Sequence, residues 1–461
     1  MKKIMQKWCG FFLFSDHLFK ESSYKSSLIL FSLGLAGFFF KFFFNAFLAR
    51  HMSSALYGDF SVAISVFNIV SAYMLFGTAS SSLRFFSGYL KKNQLDIASK
   101  YLTWNLRIVL VSSFFSLLLL ALFTICVLGL HLFHIHDIRE YHLVVYFLWL
   151  TPIGALSVLF TTYLLCHQKI YLGTFFGLFG FYFFGFVLLI PVIFIFNIKL
   201  HSESLWLFML AVVVVAVLTQ FLILYVRMRA MFLDSISRIF SRTAEDMMYE
   251  KEWWKVSLRL ILNQLVFLII TALDLFLLEI IDPSKEIVGC YAAALTVSGI
   301  IWITQQSIFQ FISPMIAPLI ESGIAGKEKL QALINKGQMA NYILNGILIL
   351  LVVIFTDPIL KFFGPEYIVA KIPLWILLGA TFVAVISTCA PKLLAFTGNE
   401  GCLLYVSAYQ IITMIIAGIV LIHLYSATGA AFAALLTWFV RTIGSIYFVR
   451  KKLGIKVAIL F

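Results

Sequence analysis

Charge is scarce in this chain. Only 12% of its 461 residues are Asp, Glu, Lys or Arg, about half of the roughly 25% found in soluble domains. Acidic residues are the scarcer kind, 21 against 34 Lys and Arg. No stretch is long and polar enough to fold as a separate catalytic domain, which argues against a membrane glycosyltransferase. The chain has no glycine-rich nucleotide loop, no G-x-S-x-G and no H-E-x-x-H, so it carries none of the motif chemistry of those enzyme classes. Cysteine is also sparse. Cys9, Cys126, Cys166, Cys290, Cys389 and Cys402 show no C-x-x-C spacing, which speaks against a disulfide framework and a zinc ribbon and leaves them as small core residues. No cofactor is expected. The Met-Lys-Lys start is followed by a short apolar piece, Phe11 to Phe14, too short for a signal-peptide core, so the N-terminus is expected to be retained.

What the chain has in abundance is apolar surface. It is 62% hydrophobic, with 49 Phe, 19 Tyr and a mean hydropathy of +1.01. These values predict an all-α polytopic membrane protein. Twelve runs are long enough to span a bilayer, at about 28–48, 60–83, 108–130, 143–166, 172–196, 205–225, 257–281, 290–313, 337–356, 373–396, 403–424 and 428–448. If the N-terminus lies inside, 24 loop and tail Lys and Arg fall on the inner side and 6 on the outer. This bias places both termini in the cytoplasm. The net charge of +13 is spread over these loops, which suits anionic lipid and gives no reason to expect nucleic acid as a partner. The expected organisation is a cytoplasmic segment 1–27, a six-helix lobe 28–225, a cytoplasmic amphipathic linker 226–256, a second six-helix lobe 257–448 and a cytoplasmic tail 449–461. In the linker, Trp253 and Trp254 are expected at the lipid interface. The halves look duplicated as parallel repeats. Tyr57-Gly58 before the second span corresponds to Val288-Gly289 before the eighth, and Leu148-Trp149 to Leu374-Trp375.

The stretch from Gly34 to Gly58 holds a lysine inside an apolar helix. Lys41 lies roughly 10 Å from the outer edge of a bilayer at 1.5 Å per residue, where it costs a few kcal/mol. Gly34, Gly37, Lys41 and Asn45 share one helix face, better suited to a bundle interior than to lipid. Lys41 therefore either lines a cavity or forms a structural pair. Arg84, Arg259, Lys392 and Arg441 lie toward the cytoplasmic ends of their spans. Snorkelling accounts for them, and so does reception of an anion from the inner leaflet. Asp274 mirrors Lys41 in depth in the seventh span, near the face of Arg259 and Asn263. It is a candidate to take a proton or cation, or to pair with Lys41. Polar stripes at Ser61, Ser65 and Asn68 and at Gln305, Gln306 and Gln310 suit sugar hydroxyls or helix–helix hydrogen bonds. His131, His134, His136 and His142 crowd one outer loop but match no metal motif, so no metal is expected.

Several segments together resemble a family. LARHMSSALYGDFSVAISVFNIVSAYMLFGTASSSLRFF is similar to the first-to-second helix region of bacterial polysaccharide-lipid flippases. LDLFLLEIIDPSKEIVGCYAAA is similar to their seventh-to-eighth helix segment, FFGPEYIVAKIPLWIL and LLAFTGNEG to the ninth-to-eleventh region, and YSATGAAFAALLTWFVR to the last helix. The resemblance covers most of the chain. It implies the multidrug/oligosaccharidyl-lipid/polysaccharide exporter fold, about twelve transmembrane helices in two pseudo-symmetric six-helix lobes around a central cavity. The implied activity is flipping of an undecaprenyl-pyrophosphate-linked oligosaccharide, such as an O-antigen unit for lipopolysaccharide, across the bacterial inner membrane by alternating access. Implied partners are that glycan, membrane lipid, a coupling H+ or Na+, and a polysaccharide polymerase. Lys41, Asn45, Arg84, Arg259, Asn263, Lys392 and Arg441 would contact substrate, and Asp274 would couple the ion. Leu275 stands where many relatives carry a basic residue, and Glu279 lies near the outer end of the same span. The alternative is an ion-coupled drug antiporter of the related extrusion family. A polymerase or ligase would need a large outer loop, and the outer loops here are short.

Overall fold

The computed structural model describes residues 21–132, 143–166, 170–194, 201–241, 243–302, 316, 319–320 and 323–458. His134, His136 and His142 of the histidine-rich loop and Gln305, Gln306 and Gln310 fall outside these residues. Among the described residues, ten helices are long and apolar enough to cross a membrane, and every regular element is helical.

The elements follow the predicted runs, with longer ends and internal breaks. In the first half, α1 is Glu21–Arg50 and α2 is Ser54–Met74, which continues past Leu75–Gly77 as Thr78–Ser82. A short helix, Phe85–Lys91, leads to α3, Leu95–Leu132. Next come α4, Leu143–Leu148 with Thr151–Cys166, and α5, Ile170–Phe175 joined through a π-turn to Phe181–Phe194. The half ends with α6, Ser202–Ser237.

In the second half, α7 is Ala244–Ile270 and Leu273–Ile281, and α8 begins as Lys285–Ser298. α9 is Ile324–Ile354 with Thr356–Phe363, and α10 is Lys371–Ile386 with Ala390–Phe396. The final helical stretch, Glu400–Leu453, is broken at Ser426 (φ 53°) into α11, 400–425, and α12, 427–453. That break sends the chain back across the membrane. α1–α6 and α7–α12 form two lobes.

Both lobes meet along α2 and α8. Ser53 caps α2 by accepting from the Leu56 N–H at 3.2 Å. Tyr57, Phe60 and Tyr291 are buried at this junction. On the side away from the basic loops, an aromatic seam joins the end of α1 to the end of α9. Phe42 stacks on Phe362 at 5.9 Å and meets Phe363 edge-on at 5.5 Å, while Tyr57 packs against Phe363 and Tyr367.

Residues 226–256 do not make the separate surface helix expected from their mixed charge. α6 runs on to Ser237, a tight turn follows, and Thr243 caps α7 in a reciprocal pair with Asp246. The two helix extensions thus form a hairpin. Trp253 is fully buried, donates to the Tyr89 hydroxyl at 3.0 Å and packs on Tyr101 and Trp104, so it is not an interfacial anchor. The reason is the length of α3, whose first turns from Leu95 carry Tyr101 and Trp104 opposite the hairpin as an aromatic wall. Arg107 pins the turn by donating to the carbonyls of Ile239 at 2.8 Å and Arg238 at 2.6 Å, and it pairs with Glu250 at 3.4 Å.

The first half of α7 therefore leans on the N-terminal lobe. Ser81 and Ser257 hydroxyls meet at 2.6 Å, and Ser80 donates to Gln264 at 3.0 Å. Gly77, at φ 79°, allows this approach, because a Cβ there would stand 2.1 Å from the Ser257 carbonyl oxygen.

Candidate functional site

Helix periodicity carries one polar face of each central helix to a shared space between the lobes. On α1 the face Gly34, Gly37 and Asn45 is buried and Lys41 half-buried, as the small-residue spacing predicts. Lys41 and Asn45 of this face, with Ser61, Ser65 and Asn68 of α2 and Tyr182 of α5, form one wall of a cavity of about 450 Å³, while Gly37 packs against Phe179. The opposite wall comes from the other lobe: Phe267 and Asp274 of α7, Thr296 and Trp302 of α8, Thr381 of α10, Met414 of α11, and Thr437 and Trp438 of α12.

Two charged residues line the cavity among the described residues, Lys41 and Asp274. The Lys41 ammonium lies 5.8 Å from the Tyr182 ring centre, a cation–π contact that partly offsets its desolvation. No described carboxylate pairs with it. Asp274 is buried and already engaged. Its Oδ2 accepts from the Tyr291 hydroxyl at 2.8 Å and its Oδ1 from the Leu275 N–H at 2.9 Å. The backbone break at Thr271–Ala272 ends one helix and starts another just before Asp274. The carboxylate thus sits in the first turn of a helix, where the dipole favours negative charge. Lys41 and Asp274 face one cavity but are not joined as an ion pair in this conformation.

Asn45 is committed to structure. Its amide donates to the Lys41 carbonyl at 2.8 Å and its oxygen accepts from Tyr57 at 3.3 Å. The Tyr57 hydroxyl also lies 3.4 Å from Thr296 of the other lobe, so Asn45 helps fix a contact between lobes beside the cavity.

The structure does not gather the remaining cations at the cavity wall. Arg84 and Arg259 are exposed, and Lys392 is half-buried; none belongs to the lining. The Arg84 guanidinium lies instead against the Phe85 ring, 5.6 Å from its centre. The side chain of Asn263 lies outside the described residues. Arg441 is different. It sits directly behind the lining residues Phe267 and Trp438, 5.5 and 5.4 Å from their ring centres, and donates to Gln410 at 3.2 Å.

Sequence reasoning missed the aromatic lining. Tyr182, Trp302 and Trp438 are hidden in a chain that is 17% aromatic, where no single ring stands out. Trp302 and Trp438 lie 5.0 Å apart, with Phe267 6.4 Å from Trp302. Tyr291 was within reach of the repeat reading, since it follows Gly289 by two positions.

No protein-family model matches the chain, and no curated protein matches it in sequence. Solved structures do. An inward-facing multidrug resistance MATE family transporter of the MOP superfamily superposes with a TM-score of 0.68 at 14% identity, over 93% of this chain and 98% of that one. The lipid II flippase MurJ, in an inward closed conformation, gives 0.63 at 13% identity over 92% and 87%. The eukaryotic MATE transporter AtDTX14 gives 0.62 at 12% identity over 93% and 95%. At these identities the likeness is one of fold, and the chain is a multi-pass membrane protein with the two-lobed helical fold of MATE transporters and MurJ.

Proposed function

We propose that this protein flips an undecaprenyl-pyrophosphate-linked oligosaccharide, a surface-polysaccharide unit such as O-antigen, across the bacterial inner membrane by alternating access. The observation that carries this reading is the make-up of the cavity. One uncommitted lysine faces hydroxyls and an amide from Ser61, Ser65, Asn68, Thr296, Thr381 and Thr437, together with the Tyr182, Trp302 and Trp438 rings. Sugars are recognised by hydroxyl and amide hydrogen bonds and by the flat faces of aromatic rings. A diphosphate calls for a cation with no partner of its own. Because both lobes supply the walls, rocking them changes the side to which the cavity opens. The aromatic seam between α1 and α9 closes the side away from the basic loops. The lipid tail stays in the bilayer while the head group crosses.

The excess of Lys and Arg on one side supports cytoplasmic termini. Asp274, beside the α7 break, is the group proposed to couple H+ or Na+ to the transition, since a carboxylate that changes partner changes the balance between states. A polymerase acting on the delivered unit would be the partner on the far side. The likeness to MurJ, named as a lipid II flippase, agrees with this reading.

A second reading rests on Asp274 and the cavity size. A buried carboxylate near three aromatic rings, in a space of about 450 Å³, also suits a small organic cation exchanged for an ion, and the likeness to MATE transporters agrees with it. Proteoliposomes separate the two. The flippase reading expects translocation of a fluorescent polyprenyl-diphosphate oligosaccharide and no gradient-driven uptake of cationic dyes. Dye exchange without glycolipid translocation would establish the second reading.

A further inference from the structure

The helical run of α6 is broken at Met228, whose φ of −130° and ψ of 31° are not helical. The bend is sharp. Phe221 and Phe232 lie eleven residues apart, about 16 Å along a straight helix, yet their rings meet at 6.0 Å. Both pack on Phe160 of α4, at 6.1 and 6.2 Å. Past the bend the chain turns across α3. The Ser235 and Ser99 hydroxyls meet at 3.2 Å, the Ser235 carbonyl accepts from Thr103 at 3.3 Å, and the Ile239 carbonyl accepts from Arg107 at 2.8 Å. These partners step along α3 toward its apolar run, which begins at about 108. The turn after α6 therefore stands at the inner edge of that run and does not project away from it.

The two faces of this bent segment differ. Met228, Phe232 and Ser235 are buried. On the opposite face Arg229, Leu233 and Ile236 are exposed, spaced by four and three. Phe240 follows in the turn with 99% of its surface open. One exposed apolar residue needs no explanation, but three in succession beside a buried face do. Two features say what covers them. Just past Arg107, the exposed side of α3 is Leu110, Val111 and Phe114, a surface suited to lipid tails, and the turn stands next to it. The free charge at the bend is basic. Arg227 and Arg229 are exposed and pair with no carboxylate among the described residues. The nearby acids are already taken: Asp234 by Arg238 at 2.9 Å, and Asp96 by Arg238 at 3.1 Å and Lys100 at 3.2 Å.

We infer that the end of α6 is a membrane-surface anchor lying on the inner leaflet. Leu233, Ile236 and Phe240 enter the upper acyl chains, and Arg227 and Arg229 meet acidic phospholipid head groups. The anchor is thus the outer face of the α6 end and its turn, and not the buried Trp253. The inference is independent of which substrate crosses. The first half of α7 leans on the N-terminal lobe through the same hairpin, so the anchor ties that lobe to the leaflet.

The test uses the full-length protein carrying Phe240→Cys, with Cys9, Cys126 and Cys402 replaced by serine, labelled with an environment-sensitive dye. With the Phe240 side chain open, the change should leave thermal unfolding in detergent unaltered. In nanodiscs of phosphatidylcholine and phosphatidylglycerol, lipid bearing a nitroxide high on its acyl chain should quench the dye, and aqueous iodide should not. Free quenching by iodide with none by the lipid nitroxide would overturn the anchor, whether a second copy or another protein then covers the face. A second measurement needs no dye. Adding phosphatidylglycerol to phosphatidylcholine nanodiscs should raise the unfolding temperature of the wild type, and most of that rise should be lost in Arg227→Gln/Arg229→Gln. An equal rise in both would overturn the head-group contact.

Discussion

Gly58 on α2 and Gly289 on α8 touch backbone to backbone across the lobe boundary. A methyl group on Gly289 would stand 1.9 Å from the Ser54 carbonyl oxygen, and one on Gly58 would stand 2.8 Å from the Gly289 nitrogen. These are the two glycines that the repeat pattern sets at equivalent positions. Their contact brings the central helices close enough for Tyr57 to reach Thr296.

Gly289→Ala is predicted to separate α2 from α8 and destabilise the protein by about 1–3 kcal/mol, the usual cost of overpacking. Gly58→Ala should cost less, since its Cβ meets less severe contacts. Thermal unfolding of the two variants in detergent checks the order, and equal stability of Gly289→Ala and wild type would contradict the packing.

Trp253→Ala should lower stability by about 3–5 kcal/mol, as for a buried aromatic in a core, with a smaller effect for the half-buried Trp254. An interfacial tryptophan would show little change in the same unfolding measurement. The comparison therefore tests directly whether the α6–α7 hairpin is docked on α3.

Much of this architecture was readable in the chain. Gly34, Gly37, Lys41 and Asn45 share a helix face that faces inward, because glycine and amide spacing in an apolar run has few other uses in lipid. Where they are described, the predicted runs are helical, because backbone polar groups in a bilayer have no other local solution. What escaped was long-range. Whether an arginine near a helix end reaches water or turns inward depends on the neighbouring helices. Arg84 and Arg441 look alike in sequence, yet one is exposed and the other is enclosed by Gln410, Phe267 and Trp438. Trp253 looked interfacial because the amphipathic pattern of 244–257 does not reveal that an extended α3 stands opposite it.

Asp274→Asn is predicted to make transport independent of an imposed pH or Na+ gradient, since the amide can neither ionise nor bind a cation comparably. Tyr291→Phe keeps the carboxylate but removes its 2.8 Å donor, so transport should stay gradient-dependent but slow. Reconstituted transport measured across a pH series reads both, and full gradient dependence in Asp274→Asn would remove Asp274 from coupling.

Closure of the aromatic seam can be trapped. Phe43 and Phe362, whose rings meet at 5.8 Å, are each partly exposed and accessible to reagent. Cysteines at both positions, with the exposed Cys126 replaced by serine, should be joined by a short bifunctional thiol cross-linker. Transport should then stop, and it should resume when the linker is cleaved. Continued transport by a fully cross-linked sample would show that this seam does not open.

The central claim is that Lys41, facing hydroxyls and rings from both lobes, receives the anionic head group of a lipid-linked oligosaccharide. It is tested most directly by translocation of a fluorescent polyprenyl-diphosphate oligosaccharide in proteoliposomes containing wild type, Lys41→Ala or Lys41→Arg at matched, folded protein levels. The account predicts a loss of roughly tenfold or more for Lys41→Ala, the size of one charge-assisted hydrogen bond, with substantial recovery in Lys41→Arg. Wild-type translocation by Lys41→Ala would contradict it.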